Sequence, residues 1–293
     1  MFGAGVSHDY RKRKPVLLLD LDGTLLPTDL IAEQVILSAT RGRSPQRVVE
    51  AFRQVKNRLY DANRYFLHSG SRAEHSTIFS ETLRACGAKS QREELVSGIR
   101  AMRETLDDGR TVRTFSGYPE VLADLRAHRV ELYVVTAGRR REQLAKVRAL
   151  GLDRLLPEGR VLVSEGDYRR GRAKDTPFHA RVICSIHRDP KSPARLLERT
   201  SDPIARAREL LLRTPYTFYM VGDHPQIDIE NFLRLLPEET TALRAIRVRR
   251  GKWRRRVPAS AEHMSVENLN QARLIVYSNH GIQASVFPPG VSV

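Results

Sequence analysis

Two aspartates, Asp20 and Asp22, close the run VLLLDLDGTLLPT at residues 16–28. Unbroken apolar residues lead into them, so Asp20 stands at the end of a buried strand. Acids grouped at strand ends repel one another unless a cation sits among them. Hard carboxylate oxygens suit Mg2+, which keeps waters and substrate phosphate oxygens in its shell. Asp223 and Asp228, in VGDHPQID at residues 221–228, offer two more such groups. A cation would hold Asp20 ionised and make it a nucleophile toward phosphorus, giving an aspartyl-phosphate. Asp22 lies one residue past Leu21, on the same side of an extended chain as Asp20. It is placed to protonate the leaving oxygen and then to take a proton from water.

A phosphate also needs donors. VVTAG at residues 134–138 ends a second apolar run, and a helical pattern follows it. The Thr136 hydroxyl and the backbone N–H groups of Ala137 and Gly138 would meet phosphate oxygens at that helix start. A lysine would complete the neutralisation.

These residues must be carried by strands. PVLLLDLDG, ELYVVT, GRVLVSE, YTFYMVGD and LRAIRVRRG read as strands, with helical patterns between most of them. Alternation of this kind predicts an α/β fold with a parallel sheet, whose ligands bind beyond the carboxyl ends of the strands. Residues 29–115 break the alternation and read as helical. SPQRVVEAFRQVKNRLY and REELVSGIRAMRETL carry apolar residues at three and four spacings, with the polar loop LHSGSRAEHS between them. Ser44-Pro45 and Thr28 are start signals for such helices. The stretch 168–215 is basic, and its RVICSIHR fits either a strand or a buried helix face. SDPIARARELLLRT reads as a helix capped by Ser201 or Asp202. Beyond residue 251 the pattern is weak.

The arrangement resembles the haloacid dehalogenase-like (HAD) superfamily. Its first motif, DxDGT, stands as Asp20-Leu21-Asp22-Gly23-Thr24; its second, a Ser or Thr closing a strand, as Thr136. Its fourth, GDxxxxD, stands as Gly222-Asp223-His224-Pro225-Gln226-Ile227-Asp228. The resemblance spans about residues 15–250. It implies a Rossmann-like parallel sheet core, residues 1–28 and 116–293, with an inserted α-helical cap of the C1 type at 29–115. It implies Mg2+ held by the Asp20 and Asp223 side chains and the Asp22 carbonyl; Asp228 either orients the ion's water shell or caps the helix that follows. Haloacid dehalogenases proper lack the second acid, so Asp22 points to a phosphatase. The third motif requires a lysine. Lys174-Asp175-Thr176-Pro177 keeps the Lys-x-x-Pro spacing and is preferred; Lys191 is the alternative. Either leaves about twenty residues more than a simple connection uses.

The expected activity is therefore hydrolysis of a phosphomonoester of a small metabolite. A phosphomutase of the same fold is one alternative. A nucleic-acid-binding protein or nucleic-acid end phosphatase is another, because 50 Lys and Arg face 34 Asp and Glu for a net charge of +16. No aromatic-interleaved basic groove is visible, so nucleic acid is not favoured. RVRRGKWRRR at 247–256, with Trp253, reads as a solvated edge. Tyr65, His68 and His75 lie in or near the cap's polar loop, and His224 lines the fourth motif. Cys86 and Cys184 are far apart, which excludes a CxxC site. No apolar run reaches membrane-span length, and none of signal-peptide type opens the chain, so the expected setting is cytoplasmic, without a membrane partner.

Overall fold

The computed structural model describes residues 12–27, 33, 36–37, 44–61, 74–87, 118–138, 140–165, 174–197, 202–236, 242–249 and 263–284. Six strands form one parallel sheet: β1 (Lys14–Leu19), β2 (Glu131–Ala137), β3 (Val161–Ser164), β4 (Tyr216–Gly222), β5 (Leu243–Val248) and β6 (His263–Val266). Their order is β3-β2-β1-β4-β5-β6. The connections therefore run outward in opposite directions from β1 and β4. That reversal opens a crevice beyond the carboxyl ends of the two central strands.

Burial on both faces explains the apolar character of β1. Leu17 and Leu19 join a core with Val121, Leu122 and Leu125 of α3 (Tyr118–Ala127) and Val147 of α4 (Arg140–Ala149). Val16 and Leu18 face the other way, onto Phe178, Val182 and Ile183 of α5 (Thr176–Arg188) and Leu211 of α6 (Pro203–Arg213). Alternate residues thus feed two cores, and neither face tolerates charge.

RVICSIHR is the buried face of α5. Asp175 caps that helix by accepting from Phe178 N at 3.0 Å, and Asp202 caps α6. Two helices packed on each other, rather than one, fill the span from Lys174 to β4, which accounts for its length. Between β1 and α3 lie α1 (Pro45–Asp61) and α2 (Glu74–Ala85), joined by an Arg58–Glu81 ion pair. Helix α2 begins inside the stretch expected to be a polar loop and includes His75. Residues 92–106, Thr28, Tyr65, His68, Ser201 and Trp253 lie outside the described residues. No helix among the described residues is long and apolar enough to cross a membrane.

The weak pattern past residue 251 conceals β6 and α7 (Leu269–His280). Asn268 caps α7 through Gln271 N at 3.0 Å, and Gly281, at φ +64°, ends it. Its polar residues have buried duties. Arg273 and Tyr277 each donate to Asp124 Oδ2 at 2.6 Å, and Tyr219 and His280 share a hydrogen bond at 3.1 Å. An apolar stripe interrupted by such groups carries little periodic signal. The basic edge also begins differently from expectation. Arg247 is only 2% exposed, because β5 is flanked on both sides.

Candidate active site

Strand β1 delivers Asp20 at its end, buried at 3% exposure. Its backbone N–H still bonds to Val221 O at 2.9 Å, so the sheet fixes its height. The chain then turns sharply. Leu25 and Leu26 N–H both return to Leu21 O, and Gly23 N–H bonds to Leu26 O at 2.8 Å. Gly23 sits at φ +86°, and a Cβ there would lie 2.5 Å from Asp223 Oδ2. Only glycine fits both the left-handed backbone and that approach. The turn brings Thr24 Oγ1 to donate to Asp20 Oδ2 at 3.1 Å.

Strand β4 delivers Asp223, and a π-helical turn, Pro225–Glu230, carries Asp228 back over the strand end. There Asp228 is fully buried and accepts from His224 N–H at 3.1 Å. The His224 ring instead caps the turn, accepting from Gln226 and Ile227 N–H. Asp20, Asp223 and Asp228 each place one carboxylate oxygen within 4.8 Å of the others. Hard oxygens at this separation fit Mg2+.

Lys174 enters this cluster. Its side chain is 7% exposed, and the ammonium is paired with both Asp20 and Asp228. The backbone at Lys174 is left-handed, φ +45°, an uncommon conformation for a side-chain-bearing residue. Neighbours hold it: Lys174 N–H bonds to Ser164 Oγ at 3.3 Å, and Asn231 Nδ2 donates to Lys174 O at 3.2 Å. Lys191 is exposed and lies with Lys14 and Glu131, the first residues of β1 and β2, at the opposite sheet edge.

Burial pushes the Asp20 carboxyl up to about 7; Lys174 opposes that, while Asp228 and Asp22 add to it. Burial alone would lower Lys174, yet attraction to Asp20 and Asp228 raises it above the usual lysine range. The ammonium thus stays charged among acids that are expensive to ionise.

Thr136, at the end of β2, donates to Gln143 Oε1 of α4 at 3.0 Å. Gly138 follows at φ +132°, a backbone conformation that side-chain-bearing residues rarely adopt. Thr136, Ala137 and Gly138 therefore lead from the β2 end into α4, as expected. Asp22 is half-buried, and Lys146 of α4 grips both its oxygens at 2.7 and 2.8 Å.

Sequence reasoning misses Lys146, Gln143, Asn231 and Arg247. Gln143 and Lys146 sit three apart in RREQLAKVRA, so they share a helix face. In so basic a helix that spacing marks nothing by itself. Arg247 pairs in register with Gly222 and interacts with Asp223. Its place beside the acids appears only once β5 is laid next to β4.

His179 of α5 buttresses the turn. Its Nε2–H donates to Ile227 O at 3.0 Å, which fixes the neutral tautomer. Burial lowers its pKa to about 4; the Ile227 carbonyl partly opposes this, and Lys174 adds to it. Between about pH 6.5 and pH 4 the unfolded chain binds a proton at this site that the folded chain refuses. Stability should therefore fall with pH across that window, by roughly 3 kcal/mol from this residue. Urea melts of wild type and His179→Gln test this. The glutamine variant should show a flatter acid limb, and parallel limbs would refute the assignment.

A family model for haloacid dehalogenase-like hydrolases matches residues 15–232. A search of curated protein sequences gives no match. Among solved structures, the chain is similar to the HAD-hydrolase YfnB of Bacillus subtilis bound to magnesium. That pair has a TM-score of 0.60 and 17% identity, covering 90% of this chain and 99% of the other. L-2-haloacid dehalogenase from Xanthobacter autotrophicus has a TM-score of 0.56 and 16% identity, covering 90% and 98%. A HAD family hydrolase from Deinococcus radiodurans R1, with bound phosphate and sodium, has a TM-score of 0.53 and 16% identity, covering 94% and 100%. At these identities the structural likeness speaks for the fold, and the family model, spanning more than half of the chain, speaks for ancestry. The chain belongs to the haloacid dehalogenase-like hydrolase family.

Proposed function

We propose that this hydrolase is a Mg2+-dependent phosphatase acting on a phosphomonoester of a small metabolite, through an aspartyl-phosphate on Asp20. The observation that carries this reading is the gathering of Asp20, Asp223 and Asp228 oxygens within 4.8 Å. Displacing halide from a neutral carbon does not require such a cluster. Phosphoryl transfer does, because negative charge must be gathered and neutralised. When bound, Mg2+ would sit among Asp20, Asp223, Asp228 and the Asp22 carbonyl and withdraw charge from the phosphate.

The chain's own residues divide the remaining work. Asp20 attacks phosphorus, and Lys174 steers its carboxylate. Thr136 and the backbone of Ala137 and Gly138 hold phosphate oxygens. Asp22 protonates the departing oxygen and later deprotonates water. Its grip by Lys146 has to open for the first of these transfers, since both carboxylate oxygens are engaged. We assign residues 29–115 to a C1-type cap over the core residues 1–28 and 116–293, with α1 and α2 as two of its helices. Such a lid restricts the leaving group to a small molecule.

Two assays separate the candidate chemistries. The protein with Mg2+ should release phosphate from p-nitrophenyl phosphate, lose this with EDTA, and release no chloride from 2-chloropropionate. Asp22→Asn should lower the phosphatase rate by about 10²–10⁴-fold, the usual worth of a general acid–base. Chloride release without phosphate release would reverse the reading.

A further inference from the structure

The edge of the sheet opposite the acids carries a second concavity, and its walls are strongly cationic. Lys12, Arg13 and Lys14 line it from the entry to β1, and Arg126 and Arg129 from the end of α3. Arg160 and Lys191 complete the cations among the described residues, against one described lining carboxylate, Glu131, which is paired with Arg160 at 2.7 Å. The volume is about 810 Å³. That falls within the range of small-ligand sites, roughly 300–1,000 Å³.

Two further observations indicate what this cavity takes. Arg13 Nη1 is buried without a hydrogen-bond partner, although buried guanidinium N–H groups ordinarily find acceptors. Pro15, Val130 and Ile282 supply an apolar wall beside the cations. Seven cations around one hollow set up a positive potential that draws an anion there. A nucleic-acid strand would need an extended track with stacking aromatics. Among the described residues the lining holds no Phe, Tyr or Trp, its rings being those of His128 and His280, and the site is a hollow.

We infer that this cavity is a binding site for a small anion carrying two or more linked phosphates, separate from the hydrolytic centre. Lys14 opens β1 and Asp20 follows its end, so the strand's six residues stand between the two sites. That is a separation of roughly 20 Å. One ligand therefore does not reach both. Inorganic polyphosphate and a nucleoside polyphosphate share the recognised chemistry, and the apolar wall would distinguish them by holding a base or ribose.

Calorimetric titration of the full-length protein in EDTA, with tripolyphosphate, orthophosphate, ATP and an RNA 20-mer, tests the inference. One tripolyphosphate should bind at least about tenfold more tightly than orthophosphate, since several charge-assisted contacts replace one or two. Lys14→Glu combined with Arg126→Glu should weaken it at least about tenfold, leaving the circular dichroism spectrum and the p-nitrophenyl phosphate rate with Mg2+ unchanged. ATP equal to tripolyphosphate would show that the phosphates alone are read; tighter ATP would show that the apolar wall takes part. Unaltered tripolyphosphate affinity in the double variant would overturn the site. RNA binding that exceeds tripolyphosphate and disappears in the double variant would overturn the small-ligand assignment.

Discussion

Asp20→Asn is expected to reduce phosphate release by at least about 10⁴-fold, the scale seen when a covalent nucleophile is removed. An amide oxygen carries no negative charge and is a poor nucleophile toward phosphorus. The variant should nevertheless fold at least as well as wild type. Asp20 is a carboxyl that burial has pushed up to about 7, so its ionised form is costly in the metal-free protein. Asparagine removes that charge while Asp228 remains to pair with Lys174. The signature is thus a dead enzyme with an undiminished melting temperature. A variant that keeps more than about one part in a hundred of the rate would displace Asp20 from the nucleophile's role.

Lys174→Met should be costly in both measurements. It removes the cation that, among the described residues, is paired with both Asp20 and Asp228, two carboxylates almost wholly out of water. Breaking a buried pair by deleting one partner costs about 3–5 kcal/mol, because the survivor is left desolvated and uncompensated. Here two acids are left. Urea unfolding in EDTA should show that loss, and added Mg2+ should recover more stability in the variant than in wild type. Activity under conditions where the variant is folded should fall by at least about 10²-fold, as when one electrostatic contact to a developing charge is lost. Lys191→Met should change neither quantity, since Lys191 is exposed at the far edge of the sheet. Equal losses from the two substitutions would dissolve the assignment of Lys174.

Much of this architecture is legible in the chain. Apolar runs ending in acid or threonine mark β1, β2 and β4, because a strand covered on both faces excludes polar residues until it leaves the sheet. Gly23 and Gly222 are explained by what stands against them, Asp223 and Asp228. What sequence conceals is of three kinds. Partners brought together by topology, such as Lys146 on Asp22 and Asn231 on the Lys174 carbonyl, lie 124 and 57 residues apart, and no periodicity links them. Elements whose apolar stripe is broken by polar groups with buried partners also escape notice, as α7 does. The π-helical turn is a third case. The pattern marks a tight acidic turn and then a helix after β4, yet nothing in PQIDIE announces the wider winding of the turn that brings Asp228 back to the acids.

The knot at Asp124 has a consequence for biosynthesis. Helix α3 is made early in the core, whereas Arg273 and Tyr277, which clasp it, come about 150 residues later. Until they emerge from the ribosome, the flank of the nascent chain formed by Val121, Leu122 and Leu125 lacks Leu269, Ala272 and Val276, which share its core. Translation at roughly 5–20 residues per second makes that interval many seconds long. The half-made chain meanwhile presents a partly covered greasy flank to chaperones and to its own copies.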